Sequence, residues 1–300
     1  MKGTDISVGG LREDAPAKIN LYLHVTGRRE DGYHLLDSLV VFVDARDVVR
    51  YEPGADPLCL KLAGRFGEKL NQLTVGEDNL VIKAAKKIQA LGGESIQGGC
   101  LLLEKNLPVA SGIGGGSSDA AATLRLLNRV WGVNGDHSAL LQISEKLGAD
   151  IPACLLRQSL RMEGIGERLS SVSSLPHCGI VLVNCGQAVS TPEVFRRRHG
   201  AFRSRASMPS VWHDVYGLAD FLKEQTNALE AAACELCPEV EKVLHVIAVQ
   251  DQCLLARMSG SGATCFGLFP SVQQAQRVAD YLTHLHQEWW VWGGGLYHEI

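Results

Sequence analysis

The segment Pro108-Val-Ala-Ser-Gly-Ile-Gly-Gly-Gly-Ser-Ser-Asp119 runs straight into Ala120-Ala-Ala-Thr-Leu124, and this junction decides how the chain is read. Glycines let a backbone adopt φ > 0 and approach an oxyanion closely. Ala120, Leu124, Leu127, Val130 and Trp131 then fall at helical spacing, closed by Gly132. A glycine-rich turn before a helix directs unpaired backbone N–H groups and the positive end of the helix dipole at an anion. The segment therefore predicts a phosphate site made of Pro108, Val109, Ala110, Ser111, Gly112, Ile113, Gly114, Gly115, Gly116, Ser117 and Ser118, the two serines adding hydroxyl donors. Two other phosphate-loop patterns do not fit. A Walker A loop ends in Gly-Lys-Ser/Thr, and no lysine stands here. A dinucleotide fingerprint would need glycine at position 117, which is Ser117. Taken alone, the segment also reads as a flexible loop with serine and aspartate capping.

Outward from this loop, residues 15–25 alternate, with Ala17, Ile19, Leu21, Leu23 and Val25 on one face and Lys18, Asn20, Tyr22 and His24 on the other. That pattern predicts a strand, paired through the turn residues 26–32 with a second strand over 35–43. Helices are predicted over residues 78–91, 138–147, 226–233, 237–249 and 272–285. Strands are predicted over 100–104, 179–183, 254–257, 264–269 and 289–292, with a hairpin near Gly164 and Gly166. Residues 195–215 have mixed charge and little periodicity and read as a long loop or a lid. Irregular alternation with hairpin-like pairs predicts an α+β fold rather than a doubly wound sheet. The chain is divided into residues 1–165 and 166–300.

The composition, 46% hydrophobic and 21% charged, is that of a globular protein. A net charge of −4 and a pI of about 6.2 leave no basic footprint for nucleic acid, so an anionic substrate needs locally placed positive groups. The nine cysteines are odd in number and scattered, which predicts reduced thiols in a cytoplasm, Cys234 and Cys237 included. Residues 1–14 lack the apolar run of a leader, and no stretch approaches the roughly 18 apolar residues of a membrane span. A cytoplasmic monomer or homodimer without membrane or nucleic-acid partners is expected.

The run Pro-x3-Gly-Ile-Gly-Gly-Gly-Ser-Ser-Asp-Ala-Ala resembles the phosphate loop of the GHMP kinases. The likeness continues in Pro16-Ala-Lys-Ile-Asn-Leu21, Gly27-Arg-Arg-Glu-Asp-Gly-Tyr-His34, Leu147-Gly-Ala-Asp-Ile-Pro152, Glu163-Gly-Ile-Gly-Glu167 and Met258-Ser-Gly-Ser-Gly-Ala-Thr264. The Gly-Gly-Gly-Ser-Ser form is similar to a branch whose small-molecule alcohol substrate carries a cytidine diphosphate. This resemblance implies a two-domain GHMP-kinase-like fold, with an N-terminal ribosomal-S5-like domain and a C-terminal ferredoxin-like domain. It implies an ATP-dependent kinase, with Mg²⁺ accompanying ATP. By the same resemblance Asp150 is the catalytic base and Lys18 its positive partner. Asn20, Tyr33 and His34 bind substrate, and Phe195 is the second aromatic of a clamp on the base. Two features stay open. The run Arg196-Arg-Arg198 reads as a solvated face or a contact to the diphosphate, and Ala228 stands where relatives often carry an acid.

Overall fold

The computed structural model describes residues 11–54, 57–73, 78–93, 98–133 and 135–297 of the chain. The reading of residues 1–14 as lacking a leader falls largely outside them.

The alternation over residues 15–25 becomes β1 (Arg12–Arg28), yet both its faces are buried. Ala17, Ile19 and Val25 are enclosed, and so are Lys18, Asn20, Tyr22 and His24. β1 pairs with β2 (His34–Pro53), longer than its apolar core suggested. The first half of the chain continues with β3 (Cys59–Ala63), α1 (Gly67–Leu73), α2 (Leu80–Gly92), β4 (Gly99–Glu104), α3 (Gly115–Val130), α4 (His137–Leu147) and α5 (Ile151–Leu156). Then follow β5 (Leu160–Gly164), β6 (Arg168–Ser171), β7 (Gly179–Asn184), α6 (Thr191–Arg197), α7 (Val215–Lys223), α8 (Glu230–Leu236) and α9 (Glu239–Ala248). The last elements are β8 (Leu255–Met258), β9 (Cys265–Phe269), α10 (Val272–Leu285) and β10 (Trp290–Gly294). The class is α+β.

The chain forms two compact units built from interleaved segments, where the sequence reading made a single cut. The first takes the chain up to Pro16, Arg46–Val109 and Gly115–Leu156; the second takes Ala17–Ala45, Ala110–Gly114 and Arg157–Ile300.

In the first unit β3 lies parallel to β4, and β4 is antiparallel to residues 48–53 of β2. α2 packs on α3, and Ala84, Ala85 and Ile88 of the first and Leu124 and Leu127 of the second are fully buried. Caps follow the sequence signals: Val81 N–H donates to Asn79 Oδ1 (2.9 Å) and Ala139 N–H to Asp136 Oδ1 (2.7 Å). Cys59 and Cys100 stand directly opposite on β3 and β4, their Cα atoms 4.6 Å apart, and are joined by a disulfide. This corrects the expectation that all nine thiols are reduced. Neighbouring strands bring two Cβ atoms within bridging distance, and a pairing across 41 residues has no local signature.

In the second unit a four-stranded antiparallel sheet runs β10-β7-β9-β8. α10 covers β10 and β7, and α9 covers β8 and β9, around Val181, Val183, Val243, Ile247 and Phe269. Residues 36–40 of β2 pair with β5, which turns back into β6. Cys185, Cys234, Cys237 and Cys265 are free thiols here, as the sequence predicted for the Cys234/Cys237 pair. Residues 198–214 are irregular but anchored. Arg203 N–H donates to Val25 C=O (3.0 Å), Ala206 N–H to Asp37 Oδ2 (2.7 Å), and Arg161 Nη2 to Ala206 C=O (2.8 Å).

Candidate active site

The marked residues fall in both units, and each set has its own surroundings. In the second unit, Lys18 N–H donates to Ile113 C=O (2.9 Å) and Thr264 N–H to Ser111 C=O (3.1 Å), so β1 and the strand after the 259–262 turn each hold residues 110–114. Ser259 links them further, accepting from Asn20 N–H (3.1 Å) and donating to Gly112 C=O (3.2 Å). Gly112, at φ 75°, has no room for a side chain: its Cβ would stand 2.6 Å from Ser259 O and 2.7 Å from Gly262 N. A Cβ on Gly114 would meet the Lys18 stem at 3.2 Å.

Lys18 is buried, and its Nζ donates to Asn20 Oδ1 (3.3 Å). Asn20 in turn donates through Nδ2 to Ser38 Oγ (2.8 Å), so its amide orients the lysine. The turn itself is braced from below. Asn227, which the sequence reading passed over, donates through Nδ2 to Met258 C=O and Gly260 C=O, both at 2.8 Å. Ala228 beside it packs on the apolar core, an environment that would penalise an acid.

Tyr33 is 60% exposed at the tip of the β1–β2 hairpin. His34 stacks on Phe195 of α6, ring centroids 5.1 Å apart and planes at 23°. The aromatic face meeting Phe195 is thus His34 rather than Tyr33. Burial, followed by the charges of Arg28 and Arg198, holds the His34 pKa below its ordinary value.

In the first unit, residues 115–118 open α3. Ser118 Oγ donates to Pro16 C=O (2.7 Å) and is fully enclosed, tying α3 to β1; Ser117 is half-buried. Asp150 immediately precedes α5, and its C=O accepts from Cys154 N–H (3.1 Å). A proline biases the residue before it toward extended geometry, which would keep Ile151 out of a helix. Instead Ile151 begins a helix, because proline within the first turn lacks only an N–H that has no helical partner.

Sequence reasoning also missed Lys105, which the structure sets beside Gly115 at the start of α3. Its Nζ donates to Asp47 Oδ2 (2.5 Å) and Asp119 Oδ2 (2.7 Å), with all three side chains buried. A Cβ on Gly115 would approach that ammonium to 3.0 Å. Asp47 also accepts Asn106 N–H (2.5 Å) and Leu107 N–H (2.8 Å). Asp119 Oδ1 is enclosed without a partner, so burial raises the Asp119 pKa well above the usual range. Burial also disfavours the charged Lys105, but the two carboxylates outweigh it and keep the ammonium protonated.

A glycine-rich loop ahead of a helix, with a buried lysine stem against Gly114, is the arrangement expected of a phosphate-handling α+β enzyme. The family models agree: residues 79–158 match the GHMP kinases N terminal domain and residues 213–286 the GHMP kinases C terminal. The chain belongs to the GHMP kinases. Within that family it is 51% identical over 297 residues to the 4-diphosphocytidyl-2-C-methyl-D-erythritol kinase of Gluconacetobacter diazotrophicus, covering 96% of both chains. It is 50% identical to the kinase of the same name from Granulibacter bethesdensis, covering 94% of this chain and 93% of the other. A crystal structure of 4-(cytidine 5'-diphospho)-2C-methyl-D-erythritol kinase is similar with a TM-score of 0.75 at 32% identity, covering 96% of this chain and all of the other. A mevalonate kinase structure reaches a TM-score of 0.69 at 11% identity, which is likeness of fold alone.

Proposed function

We propose that the chain transfers the γ-phosphoryl group of ATP to the 2-hydroxyl of 4-diphosphocytidyl-2-C-methyl-D-erythritol, a step in the non-mevalonate route to isoprenoid precursors. The observation that carries this reading is the Lys18 stem lying against Gly114 while Asn20 aims its ammonium, which joins a buried cation to an anion-binding loop. Near-full-length similarity to kinases of that name supports the choice of substrate.

Phosphoryl transfer asks mainly for positioning, charge stabilisation and a proton acceptor. In this reading the amides of residues 108–118 receive the ATP phosphates, Asp150 accepts the hydroxyl proton, and Lys18 stabilises the charge that develops. Tyr33, His34 and Phe195 take the cytosine. Among the described residues no cluster of three or more His, Cys, Asp or Glu side chains suits a metal ion, and the Ser118 hydroxyl is committed to Pro16. The residues therefore do not form a Mg²⁺ cage, and no step here passes through the ion; Mg²⁺ is proposed to arrive on ATP. The proposed location is the cytoplasm; no helix among the described residues is long and apolar enough to cross a membrane.

A coupled assay for ADP release tests the reading. ADP is expected with the cytidylated alcohol and not with methylerythritol phosphate, mevalonate or homoserine. Release with one of those instead would reassign the substrate. Asp150→Asn should lower kcat by roughly 10²–10⁴-fold with KM values little changed, and Lys18→Met by about 10²–10³-fold. Normal turnover in Asp150→Asn would remove Asp150 from the chemistry.

A further inference from the structure

The structure separates the members of the run Arg196-Arg-Arg198. Glu193 pairs with both Arg196 and Arg197 along α6, the latter at 2.8 Å. Arg198 has different company. Its Nη2 donates to Ala201 C=O (2.6 Å), its guanidinium lies over the Phe202 ring at 5.1 Å, and its Nε is enclosed with no acceptor. The β1–β2 hairpin repeats the contrast. Arg29 pairs with Asp31 (2.7 Å), whereas Arg28 Nε donates to Gly32 C=O (3.1 Å). Neither Arg28 nor Arg198 has a carboxylate partner among the described residues.

The charges of both guanidinium groups bear on His34. Arg29 N–H donates to Tyr33 C=O (2.8 Å), a register that sets Arg28 opposite His34. Side chains so paired have Cβ atoms about 4.5–5.5 Å apart. Arg198 follows Phe195 by three residues, and its N–H still donates to Val194 C=O (2.9 Å), so the two side chains share a helix face. His34 and Phe195 are themselves stacked, so Arg28 is set opposite the first ring of the pair and Arg198 three residues beyond the second.

We propose that Arg28 and Arg198 form the subsite for the diphosphate of a cytidine-diphosphate-linked substrate, next to the His34–Phe195 stack. The proposal rests on the reading that this stack takes the cytosine. A chain of net charge −4 must gather positive charge locally to hold such an anion, and arginine's planar fork matches phosphate oxygens. The Arg198 Nε, a donor without an acceptor, is a group that phosphate could satisfy after a side-chain turn.

The test is direct titration of cytidine, CMP and CDP into the full chain with ADP saturating, so that the phosphate loop is occupied. Wild type is expected to prefer CDP over cytidine. Arg28→Ala and Arg198→Ala should each weaken CDP by roughly tenfold and cytidine by less than about twofold. Arg198→Lys should recover part of the loss, and the Arg196→Ala/Arg197→Ala double variant should bind CDP as wild type does. An unchanged KM for ATP in each variant reports an intact fold. If Arg28→Ala and Arg198→Ala keep the wild-type CDP preference, the subsite is wrong while the cytidine reading stands. If wild type binds none of the three ligands yet releases ADP with a different alcohol, the cytidine reading fails and the subsite with it.

Discussion

Lys105 must satisfy two buried carboxylates with one charge, and the three groups are not equivalent. Asp47 has the ammonium and two backbone N–H donors, whereas Asp119 has the ammonium alone and an orphaned Oδ1. Removing the cation leaves two buried acids without a counter-charge. Lys105→Met should therefore cost on the order of 3–5 kcal/mol in urea denaturation. Asp119→Asn keeps the shape, removes the less compensated charge, and should cost far less or stabilise at neutral pH. Equal losses in the two variants would mean that packing rather than charge governs the cluster. None of this was legible in the sequence, because Lys105 meets its partners across 58 and 14 residues. Lys18 was legible as a candidate only through family resemblance, since a lysine on an alternating strand ordinarily points to water. The clue available in hindsight is that Lys18, Asn20, Tyr22 and His24 vary too much in chemistry for a plain solvated face.

The phosphate loop shows two kinds of glycine requirement, which substitutions distinguish at the scale of the element. Gly112 is held by the fold: its φ is 75°, and the backbone of the 259–262 turn fills the space of a side chain. Gly116 is free by the same measure, because its Cβ would meet only Leu80 Cδ1 at 3.8 Å, an ordinary contact. Gly112→Ala should lower the thermal midpoint and impair turnover together. Gly116→Ala should leave the midpoint equal or slightly higher, since alanine in a helix gains roughly 0.5–1 kcal/mol over glycine. A raised KM for ATP in Gly116→Ala would show that a ligand, not the fold, needs that space; an unchanged KM would take Gly116 out of the phosphate site. Such loops are legible because glycine, the alanine run and the helix stop lie within one stretch of chain. The same locality read α10 over residues 272–285 and β4 within a residue. It missed α5, where Pro152 masks the helix start, and α6, whose seven residues carry too little periodicity. Residues 195–215 read as a long loop or a lid, and 198–214 are irregular, but their hydrogen bonds to β1, β2 and β5 cannot be seen without the sheet.

At the scale of the whole molecule, composition limited the classes of partner but not where charge would act. The formal charge is −4 with a pI of about 6.2, so the net charge stays small between pH 7 and pH 5.5. General repulsion therefore changes little across that window, and individual buried groups set the slope of stability. Two of them act with opposite signs. Burial lowers the His24 pKa below 6.5; its Nδ1–H donates to Ser204 C=O (3.2 Å), and its Nε2 is enclosed without a partner. The charges facing it are Arg203 and Arg257, which oppose protonation, and Asp37, which favours it. The unfolded chain takes up this proton first, so the stability His24 contributes is present above about pH 6.5 and is lost as pH falls through its lowered folded value. Asp119 does the reverse: its contribution is present below the ordinary carboxylate value of 3.8 and is lost as pH rises through its raised one. His34, also lowered, adds to the His24 side. Urea midpoints measured from pH 7.5 to pH 5 should fall with acidification in wild type, with a smaller slope below pH 6.5 in His24→Gln. A gain in stability on acidification would make Asp119 the dominant group, and parallel slopes in wild type and His24→Gln would exonerate His24.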